Sequence, residues 1–313
     1  MASIFGPVHS RRFGISLGID LSPAFKQCNF DCLYCELAPA ATMAHQQQSI
    51  PVKSVMNELQ KALQQHQNID VITVTANGEP TLYPYLNALV DAIKALHVSA
   101  SLLILTNSAT LNDPQTFNTL LKFDQVKLSL DAISPEVFKK IDRPYSGIDI
   151  DEIILHVKRF SETFKGKLFI EILFVKAIND TPQEIAKLNE TLLHVTCDRI
   201  DIGTIDRPSA YNVEALDYNA LLQCAMLFDA VLPIHISSRH TQNTPPSFYS
   251  AADIINTLDK RPLSQDDISI LFDTASRQTL KQLIQQGDIV TLKRSGIVFY
   301  LPAQNLKRKR QKS

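Results

Sequence analysis

Cys28-Asn29-Phe30-Asp31-Cys32-Leu33-Tyr34-Cys35 puts three cysteines within eight residues, spaced C-x3-C-x2-C. Thiolates are soft donors that select zinc, copper(I) or iron–sulfur clusters over hard cations. A structural zinc site closes itself with four protein ligands, and the chain has no second C-x-x-C or H-x3-H half-site. Three thiolates on one short loop suit three corners of a cubane [4Fe–4S] cluster. The fourth iron then has no protein ligand, and a small molecule can bind there and receive an electron. Two other readings stay open. A zinc knuckle could recruit Asp31 or His45, and Cys32/Cys35 could act as a C-x-x-C redox pair, which leaves the third cysteine without a purpose.

The loop needs a scaffold, and the following sequence supplies alternating strand-like and helix-like runs. Ile15, Leu17 and Ile19 alternate with small or polar residues, as in a first strand that feeds the cysteines, with Pro23 ending it. Ala38–Gln48 reads as a mobile loop and Pro51–Gln67 as a helix. Strands are expected at Val71–Thr75, Ser101–Thr106, Gln125–Leu130, Leu168–Val175, Arg199–Gly203 and Leu232–Ile236, with helices between them. Such repeats imply a parallel sheet covered by helices, an α/β fold. Six or seven units are too few for a closed eightfold barrel. Ligands of parallel α/β folds sit at the carboxyl ends of strands, which selects the residues that follow each strand.

Gly78-Glu79-Pro80 comes first. Glycine permits close backbone approach, and proline fixes the turn and removes a donor, leaving carbonyls free to accept from an ammonium. Asn107 after Thr106, and Ser129 and Asp131 after the next strand, could meet ribose hydroxyls or a carboxylate; helix capping is the competing reading. Arg143 could clamp a carboxylate bidentately or simply be solvated. Arg11 and Arg12, just before the first strand, and Arg207 in Asp206-Arg207-Pro208 are candidate substrate contacts. His9, His45, His235 and His240 read as structural or solvated.

The cysteine spacing with an aromatic just before the last cysteine, Tyr34, resembles the signature of the radical S-adenosylmethionine superfamily, and Gly78-Glu79-Pro80 matches that family's G-E-P element. The resemblance spans about the first 245 residues. Gly6-Pro-Val-His-Ser-Arg-Arg-Phe-Gly-Ile-Ser-Leu-Gly-Ile-Asp20 further resembles the opening of a subfamily grouped with wyosine-base, tRNA-modifying synthases. The resemblance implies a partial (β/α)6-type barrel, with Tyr34 near the adenine of S-adenosylmethionine. It implies that the cofactor's methionyl amine and carboxylate chelate the open iron. Reductive cleavage then yields a 5′-deoxyadenosyl radical that abstracts a substrate hydrogen. An external flavodoxin- or ferredoxin-like electron donor and tRNA are the implied partners. Wyosine-type synthases carry a second cluster on upstream cysteines, whereas residues 1–27 contain none. The chain departs from that pattern here, which bears on the specific reaction and not on the superfamily resemblance. A radical enzyme acting on a small molecule or a protein is the alternative, and a zinc-binding regulatory protein is a third reading.

Pro245-Pro246 marks a boundary. Beyond it, Ser250–Leu258, a segment capped by Ser264 and Asp267, and Thr274–Gln286 ended by Gly287 read as three helices. A hairpin around Lys293-Arg294-Ser295-Gly296 follows. This pattern resembles a winged helix, with Ser276, Arg277, Gln278 and Lys281 facing outward. Lys307, Arg308, Lys309, Arg310 and Lys312 make a basic end that reads as a disordered tail. The expected units are 1–245, 246–303 and 304–313. At 313 residues, 45% hydrophobic, the chain can bury a large core, and its net charge of −1 carries no global nucleic-acid signature. Of its five cysteines, Cys197 and Cys224 read as buried free thiols. No signal peptide or apolar run of membrane-spanning length is evident, which suits a reducing cytosol and an oxygen-labile cluster.

Overall fold

The computed structural model describes residues 3–10, 12–236, 246–260, 262–294 and 297–305. Arg11, His240, Pro245, Ser295, Gly296 and the basic end from residue 306 lie outside the described residues, as do the side chains of His9, Lys293 and Arg294. The chain opens with an antiparallel pair, β1 (Ile4–Ser10) and β2 (Gly14–Asp20). The sequence reading began at β2. It missed β1 because Gly6-Pro7 interrupts the pattern; the register shifts between Phe5 and Val8, and β1 is an edge strand, where proline is tolerated.

Strand–helix units follow: α1 (Val52–Gln65), β3 (Val71–Thr75), α2 (Leu86–Lys94), β4 (Ser101–Thr106), α3 (Pro114–Leu120) and β5 (Gln125–Ser129). Then come α4 (Pro135–Ile141), α5 (Ile150–Thr163), β6 (Lys167–Phe174), α6 (Pro182–Leu192), β7 (Arg199–Thr204), α7 (Tyr218–Met226) and β8 (Ile234–Ile236). Their starts are encoded locally. Asp113 and Thr181 cap α3 and α6 by accepting from the third residue on, and proline occupies the first turn of α3, α4 and α6. The sheet order is β1 through β8, with β2 to β8 all parallel. Among the described residues β1 and β8 do not pair, so this is the expected partial barrel and not a closed one.

Alternation along the strands gives the sheet two unlike faces. Leu17, Ile19, Ile72, Val74, Ile104, Val126, Leu128, Ile170, Ile172, Ile200 and Ile202 are fully buried. They pack in one cluster with helix residues such as Val55, Leu59, Leu89, Phe160 and Leu188. The intervening positions include Ser16, Thr73, Lys127, Glu171 and Asp201, and they face the interior of the barrel. Apolar mass therefore lies behind the sheet, and polarity lies inside it.

The rest of the chain forms α8 (Ala251–Lys260), β9 (Leu263–Ser264), α9 (Gln265–Leu271), α10 (Thr274–Gln286), β10 (Ile289–Arg294) and β11 (Ile297–Pro302). Its three strands pair as β10-β11-β9. Tyr249, Ile254, Leu258, Leu263, Phe272, Leu280 and Ile289 form a second core. Ser264 and Asp267 make a reciprocal capping box on α9, and Gly287, with φ +82°, ends α10 as the sequence implied. One expectation is corrected here. Ser276 does not face outward but is fully buried, because its Oγ is taken by Asp273 and by the Tyr249 amide. Among the described residues no helix is long and apolar enough to cross a membrane.

Candidate cofactor site

β2 ends at Asp20 and hands the chain to the cysteine loop, which is clamped on both sides. Towards β3, the Gln27 amide donates to the Asn77 carbonyl (2.8 Å), and Glu79 N donates back to Gln27 O (3.0 Å). Towards α4, Asp31 N donates to Asp142 O (3.0 Å) and Leu33 N to Ile141 O (2.8 Å). From the segment after β7, Ala210 N donates to the Cys35 carbonyl (2.8 Å). Gln27 also binds the far end of the connection expected to be mobile. Its Oε1 accepts from Gln47 N (2.7 Å) and Gln48 N (3.0 Å). Segment 38–48 is irregular, as expected, yet fastened. The sequence reading missed Gln27, which looks like any polar loop residue.

Burial pushes the Cys28 thiol up to about 12 and raises Cys32 and Cys35 above the ordinary thiol range. A group that binds here must therefore displace protons from sulfur, as soft metal centres do. The surroundings favour thiolate ligands: Phe30 N points at Cys28 Sγ (3.4 Å), and the Lys26 ammonium lies close enough to Cys28 and Cys35 to lower both. Cys197 and Cys224 lie elsewhere, just before β7 and on α7; Cys224 is buried and Cys197 half-buried. The donor set fits three corners of a [4Fe–4S] cube. It does not suit a zinc knuckle completed by Asp31, whose carboxylate is occupied by Lys26 Nζ (2.6 Å) and the Tyr211 hydroxyl. Among the described residues no three His, Cys, Asp or Glu side chains converge as around a single ion.

Gly78 has φ +135°, and a Cβ there would lie 1.8 Å from the Gln27 carbonyl oxygen, so no other residue fits this turn. The Glu79 carboxylate is buried and fully engaged. It accepts from Thr81 N (3.0 Å), Thr81 Oγ1 (2.7 Å), Thr106 Oγ1 (2.7 Å) and Asn107 N (2.8 Å). Its side chain ties the exit of β3 to the exit of β4, and Pro80 opens the short turn Pro80–Leu82.

Tyr34, Asn107, Ser129 and Asp131 line one cavity beside the loop, together with Phe30, Phe138 and Asp142. Asn107 Nδ2 donates to Asn29 Oδ1 (2.6 Å) and lies 3.9 Å from Cys28 Sγ. The Tyr34 hydroxyl donates to Asp131 Oδ2 (2.5 Å), and Leu173 N donates to the other oxygen (2.7 Å). Burial raises Asp131 to about 7. Neither Ser129 nor Asp131 caps a helix. Arg143 stands outside this cavity. With φ +48°, its guanidinium is 3.7 Å from Asp31 and stacks 4.6 Å above the Tyr211 ring.

The substrate candidates separate. Arg12, in the turn between β1 and β2, reaches into the barrel, where its guanidinium meets Glu171 (2.5 Å) and Asp201 (3.2 Å). Lys127 also binds Glu171 (2.5 Å), and Arg199 binds Asp201 (2.8 Å). Burial alone would raise Glu171, but Lys127 and Arg12 outweigh it and hold the carboxyl near 2. Arg207 pairs with Glu36 beside the cysteine loop (3.3 Å). Lys127, Glu171 and Asp201 were missed in the sequence. Their signal was present, since charged residues alternate with apolar ones in Val126-Lys127-Leu128, Ile170-Glu171-Ile172 and Ile200-Asp201-Ile202.

The family model described as the Radical SAM superfamily matches residues 23–189, which contain the cysteine loop, the Gly78 turn and the cavity. A Helicobacter pylori protein named UPF0026 protein is 37% identical over 298 residues, covering 95% of this chain and 96% of that one. A rice protein (Oryza sativa subsp. japonica) named S-adenosyl-L-methionine-dependent tRNA 4-demethylwyosine synthase is 37% identical over 67 residues, 21% of this chain and 10% of that one. Among solved structures, Streptococcus suis SuiB bound to S-adenosylmethionine superposes with a TM-score of 0.55 at 20% identity, covering 71% of this chain and 51% of that one. That likeness is one of fold.

Proposed function

The chain belongs to the radical SAM superfamily, and from that premise we propose that it is a tRNA-modifying enzyme whose C-terminal module engages the nucleic acid. Its cofactors are a [4Fe–4S] cluster and S-adenosylmethionine, which together supply one-electron cleavage of the sulfonium and a radical able to abstract hydrogen. Cys28, Cys32 and Cys35 would hold the cluster, and an external donor, flavodoxin- or ferredoxin-like, would supply the electron. The Gly78 turn lets backbone come close to the methionyl end. Tyr34, Asn107, Ser129 and Asp131 wall the cavity in which the nucleoside end would be oriented and kept from water. Arg143, outside that cavity, would approach the cofactor carboxylate only by leaving Asp31.

The observation that carries the substrate reading is the exposed side of α10, where Arg277, Gln278 and Lys281 stand on a helix whose other side is core. The order helix–strand–helix–helix–strand–strand supports a winged-helix reading of the module, and the basic cluster Lys307–Lys312 adds phosphate-binding charge. The short likeness to a tRNA 4-demethylwyosine synthase supports the same direction. Titrating tRNA against the reconstituted enzyme at increasing salt tests it. Affinity should fall steeply with salt, and R277A/K281A should weaken binding by roughly three- to tenfold with a salt slope reduced by about two. Salt-insensitive binding, or 5′-deoxyadenosine formation indifferent to tRNA, would overturn the assignment.

A further inference from the structure

We propose that Lys260, the last residue of α8, is a positioning residue for the cofactors: paired with Asp20, it holds both turns that form their site. Asp20 ends β2 and is 1% exposed. Its Oδ1 accepts from Ser22 N (2.9 Å) and Asn77 N (2.8 Å), and its Oδ2 accepts from Lys260 Nζ. Ser22 begins the run to Cys28, and its Oγ receives Gln27 Nε2 (2.8 Å). Asn77 adjoins Gly78, and its carbonyl receives the Gln27 amide (2.8 Å). One carboxylate thus fixes the origin of the cysteine loop and the approach to Gly78-Glu79-Pro80.

A carboxylate this deep needs a charged partner to offset its lost hydration. Among the described residues the cation bonded to it is Lys260, and the two side chains are 5% and 2% exposed. Without that charge the buried Asp20 carboxylate is left uncompensated and is drawn towards water, which weakens the acceptor shared by the two amides. Lys260 lies on α8, whose Ile254 and Leu258 belong to the second core and not to the barrel. Asn256, one turn earlier on α8, donates to the Ile4 carbonyl (2.8 Å) and seats the helix against β1. The C-terminal module therefore forms one wall of the support beneath the cofactors. This inference rests on the cofactors and is independent of tRNA as substrate.

The test uses full-length protein loaded anaerobically with iron and sulfide. It compares K260M, K260R and D20N/K260M by iron content, melting temperature and the S-adenosylmethionine dissociation constant. The constant is read from the change in the electron paramagnetic resonance spectrum of the reduced cluster as cofactor is added. K260M should keep its iron and bind S-adenosylmethionine about tenfold more weakly, and K260R should stay within about threefold of wild type. D20N/K260M should also stay within about threefold, because an amide oxygen still receives both backbone amides with no charge left to neutralise. Wild-type affinity in K260M, or a double variant as weak as K260M, overturns the proposal. Should K260M fail to fold, D20N/K260M decides: near-wild-type affinity supports the role, and a tenfold loss removes it.

Discussion

Two carboxyl groups inside the barrel, brought together where the Leu130 amide donates to the Glu171 carbonyl (3.0 Å), are driven in opposite directions. Asp131, at the carboxyl end of the strands, is raised to about 7, and Glu171, one step towards the amino end, is lowered to about 2. Desolvation acts to raise both, so it does not distinguish them. What differs is the supply of cations. Arg12 and Lys127 both close on Glu171, whereas Asp131 receives a phenol and an amide. The amino end neutralises its own charge and closes the barrel floor. The carboxyl end keeps a neutralisable acid, protonated thiols and a cavity, which are properties of a place that awaits ligands.

Three perturbations sharpen this contrast. C32A should break the carboxyl end while leaving the floor intact. The variant should bind little iron and form 5′-deoxyadenosine at least about a hundredfold more slowly, with its cofactor-free melting temperature almost unchanged. Iron analysis and product chromatography measure both.

E171Q breaks the floor instead. Because folding lowers this group's pKa, its contribution is present above the unfolded value near 4.5 and is lost as pH falls through about 2. Urea unfolding at several pH values should show E171Q less stable at pH 7 by roughly 3 kcal/mol, with the deficit shrinking as the wild type acidifies.

D131N has the opposite sign. Folding raises the Asp131 pKa, so its contribution is present below the unfolded value near 3.8 and is lost as pH rises through about 7. In cofactor-free protein, the wild type should lose stability between about pH 4 and pH 7 relative to D131N. Parallel melting curves would contradict the assigned shift.

The carboxyl end was largely legible in the sequence because its chemistry is local. Cys28, Cys32 and Cys35 share one loop, and Gly78 announces a turn that only glycine fits. The strand-end rule then selected Asn107, Ser129 and Asp131, which the fold gathers around one cavity. The floor was not legible as a unit, since Arg12 meets its partners 159 and 189 residues away. Only the alternation inside β5, β6 and β7 hinted that one face of a helix-covered sheet was polar. Lys260 was hidden for the same reason: its partner lies 240 residues earlier, and a lysine at a helix end is ordinarily a solvated one.

The apolar cluster behind the sheet has a consequence for the life history of the protein. Its side chains come mostly from strands and helices, and Cys28 and Cys32 only pack against its margin, so collapse of the chain draws on apolar burial and not on metal. Maturation can then run in two stages, with a shaped but empty vessel made first and its inorganic contents delivered later by whatever assembles such clusters in the cell.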